Sequence, residues 1–377
     1  MKIKTLETFT GIGSVHMALR NIGIEVESVG ISEVDRYALI AYDAIHGNGE
    51  PVEEKTKEEM LEVLERDNVG YNFSSGKSEI PRSIKQLRQL YEAHIRSKNY
   101  GDITRIDTEQ LPDFDLFVYS SPCKNISIAG KQASLEEGSG TQSSLIWECR
   151  KIIQAKKPKY LMFENVANLI SERHKPYFDL WCEELEGMGY VNKWAVLNGL
   201  NYGVPQRRER VIMISIREDV YDGYELPLGT DDSKRFIDIL EPCVEDKYFV
   251  TNPDYQDYIH KVVLSSDDKV KDKSVRLGGL FDTPTARRQA GAIWDKYGVA
   301  PTLDTCQGGY RQPLVVDGSR IRKITPKEAW RLQGMSDEDY QKAVDAGLSN
   351  TKLYERAGRA IVVPMLEAVF KRLLKHT

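Results

Sequence analysis

The chain has no run of eighteen or more apolar residues, so no stretch of it reads as a membrane-spanning helix. Its start, MKIKTLETFTGIGS, passes from a strand-like segment into a glycine turn without the apolar core of a signal peptide. The expectation is a soluble, cytoplasmic protein that meets no membrane. Cysteine is scarce: Cys123, Cys149, Cys182, Cys243 and Cys306 make an odd number with no CxxC pair, which argues against a disulfide framework and a zinc knuckle alike. The six histidines are scattered, and no metal is expected. Basic excess is also missing. A net charge of −5 excludes diffuse, whole-surface attraction to nucleic acid but leaves room for a cationic cleft in an acidic body. No internal repeat is evident. With 377 residues, 41% hydrophobic and 29% charged, the chain can bury one large core and a smaller second one.

From Lys2 to about Asp219, short apolar runs alternate with amphipathic stretches. The segments KIKTLETF, EVESVGISE, DLFVYS, KYLMFENV, NKWAVLN and RVIMISIRE read as strands. Such alternation is the signature of an α/β fold, a mostly parallel sheet with helices on both faces. Between about 47 and 100 lies a charged segment with helical periodicity, broken by Gly and Ser at NFSSGKSEIP. It is expected to be a helical insertion on the sheet. After Arg217 the pattern loosens into a stretch rich in Gly, Pro, Thr and Arg that reads as a second, smaller domain. From Ile324 helical periodicity returns, and VPMLEAVFKRLLKHT is expected to be a closing helix packed on the first domain.

Three local patterns carry chemistry. FTGIGS, Phe9 to Ser14, follows a strand and precedes an amphipathic stretch; glycines at 11 and 13 let a backbone approach a ligand at a helix N-terminus. Many GxG turns only pack tightly, but Glu33 ends the next strand about 20 residues on, where a carboxylate can grip ribose hydroxyls. The glycine pattern is shorter than GxGxxG, which disfavours a nicotinamide cofactor and favours S-adenosylmethionine. YSSPCKNIS puts Cys123 on a turn at the end of the run FDLFVYS, where open α/β sheets keep their ligand sites; taken alone, such a cysteine is more often a half-buried turn residue. FENV places Glu164 at another strand end, and in QRRER, Arg208 and Arg210 are two apart and would share a strand face. A solvated cap and an exposed strand entry are the plainer readings of these last two.

Together the ordered set FTGIGS, SEVD, GDI, SPCKNIS, FENV, QRRER, RKITPKEAWRLQG and GRAIVVP resembles the motifs of the DNA cytosine-5 methyltransferase family over nearly the whole chain. The resemblance implies a Rossmann-like S-adenosylmethionine-dependent methyltransferase domain over 1–220, with the insertion at about 47–100. It further implies a target-recognition domain over 221–317, and a segment over 318–377 that completes the first domain. It implies a base-flipping enzyme of bacterial or phage type, as in restriction-modification, acting on double-stranded DNA as a monomer. Cys123 corresponds to the nucleophile, Glu164 to the residue facing N3 of the flipped base, and Arg208 and Arg210 to its polar clamps. Phe9, Gly11, Gly13, Glu33, Val34, Asp102, Ile103 and Leu145 line up with cofactor contacts. Arg276, Arg287, Arg288, Gln289, Gln307 and Arg311 are offered as DNA contacts. An RNA cytosine-5 methyltransferase fits less well, because the span before RKITPKEAW is long enough for a DNA-reading domain.

Three positions depart from the family pattern. Lys124 stands for a usual glutamine, Gln142 for a usual arginine, and Arg359 for a usual asparagine. By the resemblance, Lys124 and Arg359 lie around the carbon being transferred. A cation about 4 Å from a sulfonium costs about 4 kcal/mol at an effective dielectric near 20, whereas a carboxylate on that carbon would reverse the sign and match a guanidinium fork. The favoured donor on this argument is carboxy-S-adenosylmethionine, with 5-carboxymethylcytosine as product. The alternatives are ordinary methyl transfer from S-adenosylmethionine and a catalytically silent DNA-binding relative. Gln142 has no physical account.

Overall fold

The computed structural model describes residues 2–72, 75–120, 145–265 and 269–375. It divides into two compact units: Met1–Leu197 with Glu209–Leu228 and Glu367–Thr377, and Asn198–Arg208 with Gly229–Leu366.

All six expected strands of the first unit form. They are β1 (Lys2–Thr8), β2 (Glu25–Ser32), β5 (Leu116–Ser120), β6 (Tyr160–Val166), β7 (Tyr190–Asn198) and β8 (Glu209–Arg217), in the order β2-β1-β5-β6-β8-β7. The pairs β1/β2, β1/β5 and β5/β6 are parallel, and β8 runs antiparallel to β6. This is the expected α/β class. The connecting helices are α1 (Ser14–Asn21), α2 (Arg36–His46), α3 (Lys57–Arg66), α4 (Ile84–Arg96), α5 (Ile146–Lys156) and α6 (Lys175–Gly187). Phe117, Tyr119, Trp147, Phe163, Phe178 and Trp181 fill the core under the sheet. Such large aromatic side chains carry much of the burial energy of a domain. The Trp181 indole N–H donates to the Tyr119 hydroxyl at 3.1 Å, which pins the end of β5.

The segment 47–100 carries helices α3 and α4. Its Gly/Ser break contains a two-stranded hairpin, β3 (Tyr71–Asn72) with β4 (Lys77–Ser78). The left-handed Gly76 at φ 66° supplies the reversal there. Helix α3 starts with a Thr56/Glu59 capping box, and α3 and α4 share a core of Met60, Leu64, Leu87 and Leu90 with Leu39 of α2.

In the second unit, β9 (Arg276–Gly279), β10 (Ala292–Trp294), β11 (Leu314–Asp317) and β12 (Arg320–Lys323) form a sheet in the order β12-β11-β10-β9. Helix α7 (Gln256–Ser265) covers it through Ile259 and Val262. Then come α8 (Pro326–Arg331), α9 (Asp337–Asp345) and α10 (Asn350–Arg359), followed by the closing helix α11 (Val363–Leu373). From Glu367 onward the chain groups with the first unit, where Glu367 accepts from Asn21 at 2.7 Å. Among the described residues no helix is long and apolar enough to cross a membrane, and no group of three or more His, Cys, Asp or Glu could hold a metal.

The second unit is braced by a buried ion pair. The Arg322 guanidinium, 1% exposed, donates to both oxygens of Glu328, 0% exposed, at 2.8 and 2.9 Å, and to Asp317 at 2.7 Å. Glu328 also closes the capping box of α8 with Thr325 and accepts the Glu241 N–H. Breaking a buried pair leaves the other charge uncompensated. Glu328→Ala is therefore expected to cost about 3–5 kcal/mol in urea denaturation, and Arg322→Met with Glu328→Leu to cost less than the single change.

Candidate functional site

The register of the sheet brings the motif residues to one edge. Thr8 pairs with Ser32 and Ser120 with Glu164, so the parallel strands β2, β1, β5 and β6 end together. Strand β8, being antiparallel, begins at that edge, with Arg210 opposite Val166. The glycine turn, Glu33, the end of β5 and Glu164 therefore share the rim where open α/β sheets bind ligands. Cys123, Lys124 and Gln142 lie outside the described residues; Ser120, three positions before Cys123, is the last described residue of β5.

At the glycine turn, Phe9 and Gly11 both adopt left-handed backbone, with φ of 54° and 60°, and the Phe9 N–H donates to the Ser32 carbonyl. The two glycines differ in why they are glycines. A Cβ at Gly13 would come within 2.5 Å of the His46 ring and 2.8 Å of Tyr42, so packing demands that glycine. At Gly11 no described atom lies within 4 Å of where a Cβ would stand. Gly11 is the position at which the missing side chain opens space. Its N–H donates to Glu33 at 2.9 Å, and the other oxygen of that carboxylate accepts from Val34 and Asp35 at 2.9 and 2.8 Å. Glu33 thus ties the turn to the end of β2.

Asp102 is buried and accepts from Asn68 at 2.7 Å and from the Thr104 N–H and hydroxyl at 3.0 and 2.9 Å. Ile103 is buried in the core, and Leu145 packs against it at the start of α5. Beneath the glycine turn lies a cluster that sequence reasoning missed: Glu7, His16, Tyr42 and His46. His16 stacks on His46 and shares a hydrogen bond with Tyr42. Burial pushes the Glu7 carboxyl up to about 8, and burial together with Arg20 pushes His16 down to about 4. No sequence signal marks this cluster, because its charge states follow mainly from burial, which only the fold determines.

Glu164 and Arg210 meet: Arg210 Nε lies 2.8 Å from Glu164 Oε1, both largely buried. Arg208 does not join them. The strand starts at Glu209, so the same-face alternation expected of Arg208 and Arg210 does not hold. The Arg208 guanidinium, 2% exposed, donates within the second unit to the carbonyls of Leu303, Gly358 and Ala360 at 2.9, 2.8 and 3.0 Å. Arg359, at the end of α10, pairs with Glu355 on its own helix, and its side chain is 41% exposed. Glu355 also meets Lys352 and Arg356, each at 2.9 Å. Burial works against its charge, but Arg356, Arg359 and Lys352 hold the carboxyl below its ordinary range. Among the other cysteines, burial pushes the Cys182 thiol up to about 12 and those of Cys149 and Cys306 well above their ordinary value.

The residues offered as DNA contacts lie on two stretches of the second unit, 276–289 and 307–311, that touch. Phe281 packs edge-on against Tyr310 with ring centres 5.7 Å apart, and the Gly291 N–H donates to the Tyr310 carbonyl at 2.8 Å. Arg276 is bidentate on Asp282 at 2.6 and 2.7 Å, which braces the loop from within. Arg311 pairs with Asp304 at 3.0 Å. Arg287, Arg288, Gln289 and Gln307 are exposed.

The model of the C-5 cytosine-specific DNA methylase family matches residues 76–375. The chain is 37% identical to the type II methyltransferase M2.ScrFI of Lactococcus lactis subsp. cremoris, over 99% of both proteins. It belongs to the C-5 cytosine-specific DNA methylase family. It is also 30% identical to the orphan methyltransferase M.SssI of Spiroplasma monobiae, over 99% of this chain and 97% of that one. Among solved structures, the Dnmt2 methyltransferase of S. pombe superposes with a TM-score of 0.63 at 14% identity, over 99% of both chains. That likeness speaks for the shared fold. This methylase is thus a member of a DNA-modifying, S-adenosylmethionine-dependent enzyme family, and its own Arg208 is tied to backbone carbonyls of the second unit.

An ammonium cannot span the three carbonyls that the planar guanidinium of Arg208 reaches. Arg208→Lys is therefore expected to lower the unfolding free energy of the methylase by about 1.5–3 kcal/mol, measured by denaturant titration.

Proposed function

We propose that this methylase modifies C5 of a cytosine flipped out of double-stranded DNA, with Cys123 as nucleophile. The observation that carries the reading is the parallel register of Ser120 with Glu164, beside Arg210. Cys123 follows Ser120 by three positions, and Ser120 ends β5 in register with Glu164, which pairs with Arg210. A ring inside a duplex hides its faces, so the base must leave the stack. The Cys123 thiolate then adds to C6 while Glu164, steadied by Arg210, neutralises charge at N3, which makes C5 nucleophilic. S-adenosylmethionine, when bound, supplies an electrophilic methyl carbon. Loss of the C5 proton and release of the Cys123 sulfur restore the ring. The residues at the other end of the edge fit such a cofactor: Gly11 leaves open space beside a helix N-terminus, and Glu33 presents a carboxylate beside it. Arg287, Arg288 and Gln307 are the exposed groups that would face DNA in a recognition role for 221–317, with Arg276 shaping their loop.

The pairing of Arg359 with Glu355 supports the plain methyl donor, because a neighbouring anion offsets much of the repulsion a lone guanidinium would exert on a sulfonium. One observation favours carboxymethyl transfer as a second reading. Lys352, Arg356 and Arg359 share a single Glu355, an excess of positive charge along α10, and at its end the half-exposed Arg359 is the cation able to meet a carboxylate.

Two experiments test these readings. Cys123→Ser should abolish transfer and leave DNA binding nearly intact, since an alcohol is a far weaker nucleophile than a positioned thiolate, and 5-fluorocytosine at the target should trap the wild type covalently. Turnover by the variant, or no adduct where normal DNA is modified, contradicts the nucleophile. Second, with both donors in competition and nucleosides weighed by mass spectrometry, methylcytosine should dominate. A dominant 5-carboxymethylcytosine that reverts on Arg359→Asn with Lys124→Gln would establish the second reading instead.

A further inference from the structure

Between the inserted helices and the end of β2 runs a chain of hydrogen bonds in which each donor and acceptor is determined. Asn99 is 6% exposed, and its Oδ1 accepts the backbone N–H of Glu33 at 3.0 Å and of Gly101 at 3.1 Å. Two backbone donors require an oxygen there, so the amide orientation follows. Its nitrogen then donates to the Glu33 carbonyl at 2.9 Å and faces Nδ1 of His94 at 3.1 Å. An amide nitrogen has only donors to offer. Nδ1 must therefore accept, and the ring proton sits on Nε2, which donates to Asp67 Oδ2 at 3.0 Å. Asp67 suits that role. Burial works against its charge, but hydrogen bonds from Arg66 and His94 hold its carboxyl well below the usual range.

We infer that His94, 3% exposed, in its neutral Nε2–H form, is a positioning residue for the cofactor carboxylate. It locks the Asn99 amide, which grips Glu33 at both its N–H and its carbonyl as a paired strand would. The inference rests on the reading of Glu33 as a cofactor contact. The same anchor reaches the neighbouring loop, because the Asp67 carbonyl accepts the Asp102 N–H at 2.9 Å. Gly101, at φ 70°, lets the chain pass that carbonyl, since a Cβ there would stand 1.9 Å from its oxygen. No rearrangement preserves the set. Moving the proton to Nδ1 sets donor against donor at Asn99, and flipping Asn99 sets its NH2 against two backbone N–H groups.

Two substitutions in the full-length enzyme separate positioning from mere support. His94→Asn puts an amide oxygen about where Nδ1 stood, keeping the acceptor for Asn99 and losing Asp67. His94→Gln puts an amide nitrogen about where Nε2 stood, keeping Asp67 and losing that acceptor. Each deletes one buried hydrogen bond, so their melting temperatures should fall together. The S-adenosylmethionine Kd from calorimetry should rise about tenfold in His94→Gln, the worth of one such bond. In His94→Asn it should rise less than about threefold, with kcat at saturating cofactor held within about twofold in both. Equal Kd changes, the reverse order, or no change overturns the inference. A second readout needs no variant: 15N chemical shifts of the wild-type ring should show Nδ1 unprotonated and Nε2 protonated at neutral pH, and the opposite tautomer overturns it. Glu33→Ala is the control. An unchanged cofactor Kd in that variant defeats the cofactor reading itself, whereas a weakened Kd beside indistinguishable His94 variants defeats only the role of His94.

Discussion

Parallel alignment of β2, β1, β5 and β6 is the constraint from which the site follows. Parallel neighbours cannot be joined by a tight turn, so each strand is followed by a crossover that starts at the same rim. The strand interiors are apolar, with Leu6, Ile31, Phe117 and Phe163 all buried, so chemistry-bearing groups collect where the buried apolar run of each strand gives out. That is why Phe9, Glu33, Ser120 and Glu164, spread over more than a hundred positions, belong to one edge. The antiparallel β8 adds what a parallel strand could not. It begins where its neighbours end and so delivers Arg210 to Glu164. A carboxylate within the last turn of a buried strand is costly to ionise without such a partner.

Sheet class and strand positions were legible in the sequence because both follow from local pattern: runs of β-branched and aromatic residues, bounded by turns, in alternation with helical periodicity. The glycine turn and Glu33 were legible for the same reason, since spacing along the chain maps onto adjacent strand ends. What could not be read was the identity of each polar group's partner. Arg208 and Arg210 look equivalent in QRRER, yet one serves three carbonyls of the second unit and the other serves Glu164. Gly13 looks like a ligand-approach glycine, yet His46 and Tyr42 occupy the place of its Cβ. Arg276 looks like a DNA contact, yet Asp282, six residues on, holds it in a bidentate grip. Nothing in HIRSKNYGDI marks His94 or Asn99, because their meaning lies in backbone groups of residue 33 that only the fold brings near.

The same point governs how the charge of Arg359 is to be weighed. Counting side chains in order treats Arg359 as a bare cation; on α10 it is one of three cations about one buried carboxylate. The field felt by a ligand is that of the whole cluster. An isolated guanidinium would repel a sulfonium strongly, whereas a cluster whose anion sits closest to the guanidinium projects a weaker, more dipolar field that falls off faster with distance. Substituting Arg359 alone therefore changes two things at once: it removes a cation from the end of α10 and returns Glu355 to Lys352 and Arg356. On the proposal that Arg359 faces the transferred group, donor preference would be a property of α10 as a unit, and Arg359 would act through the balance struck at Glu355.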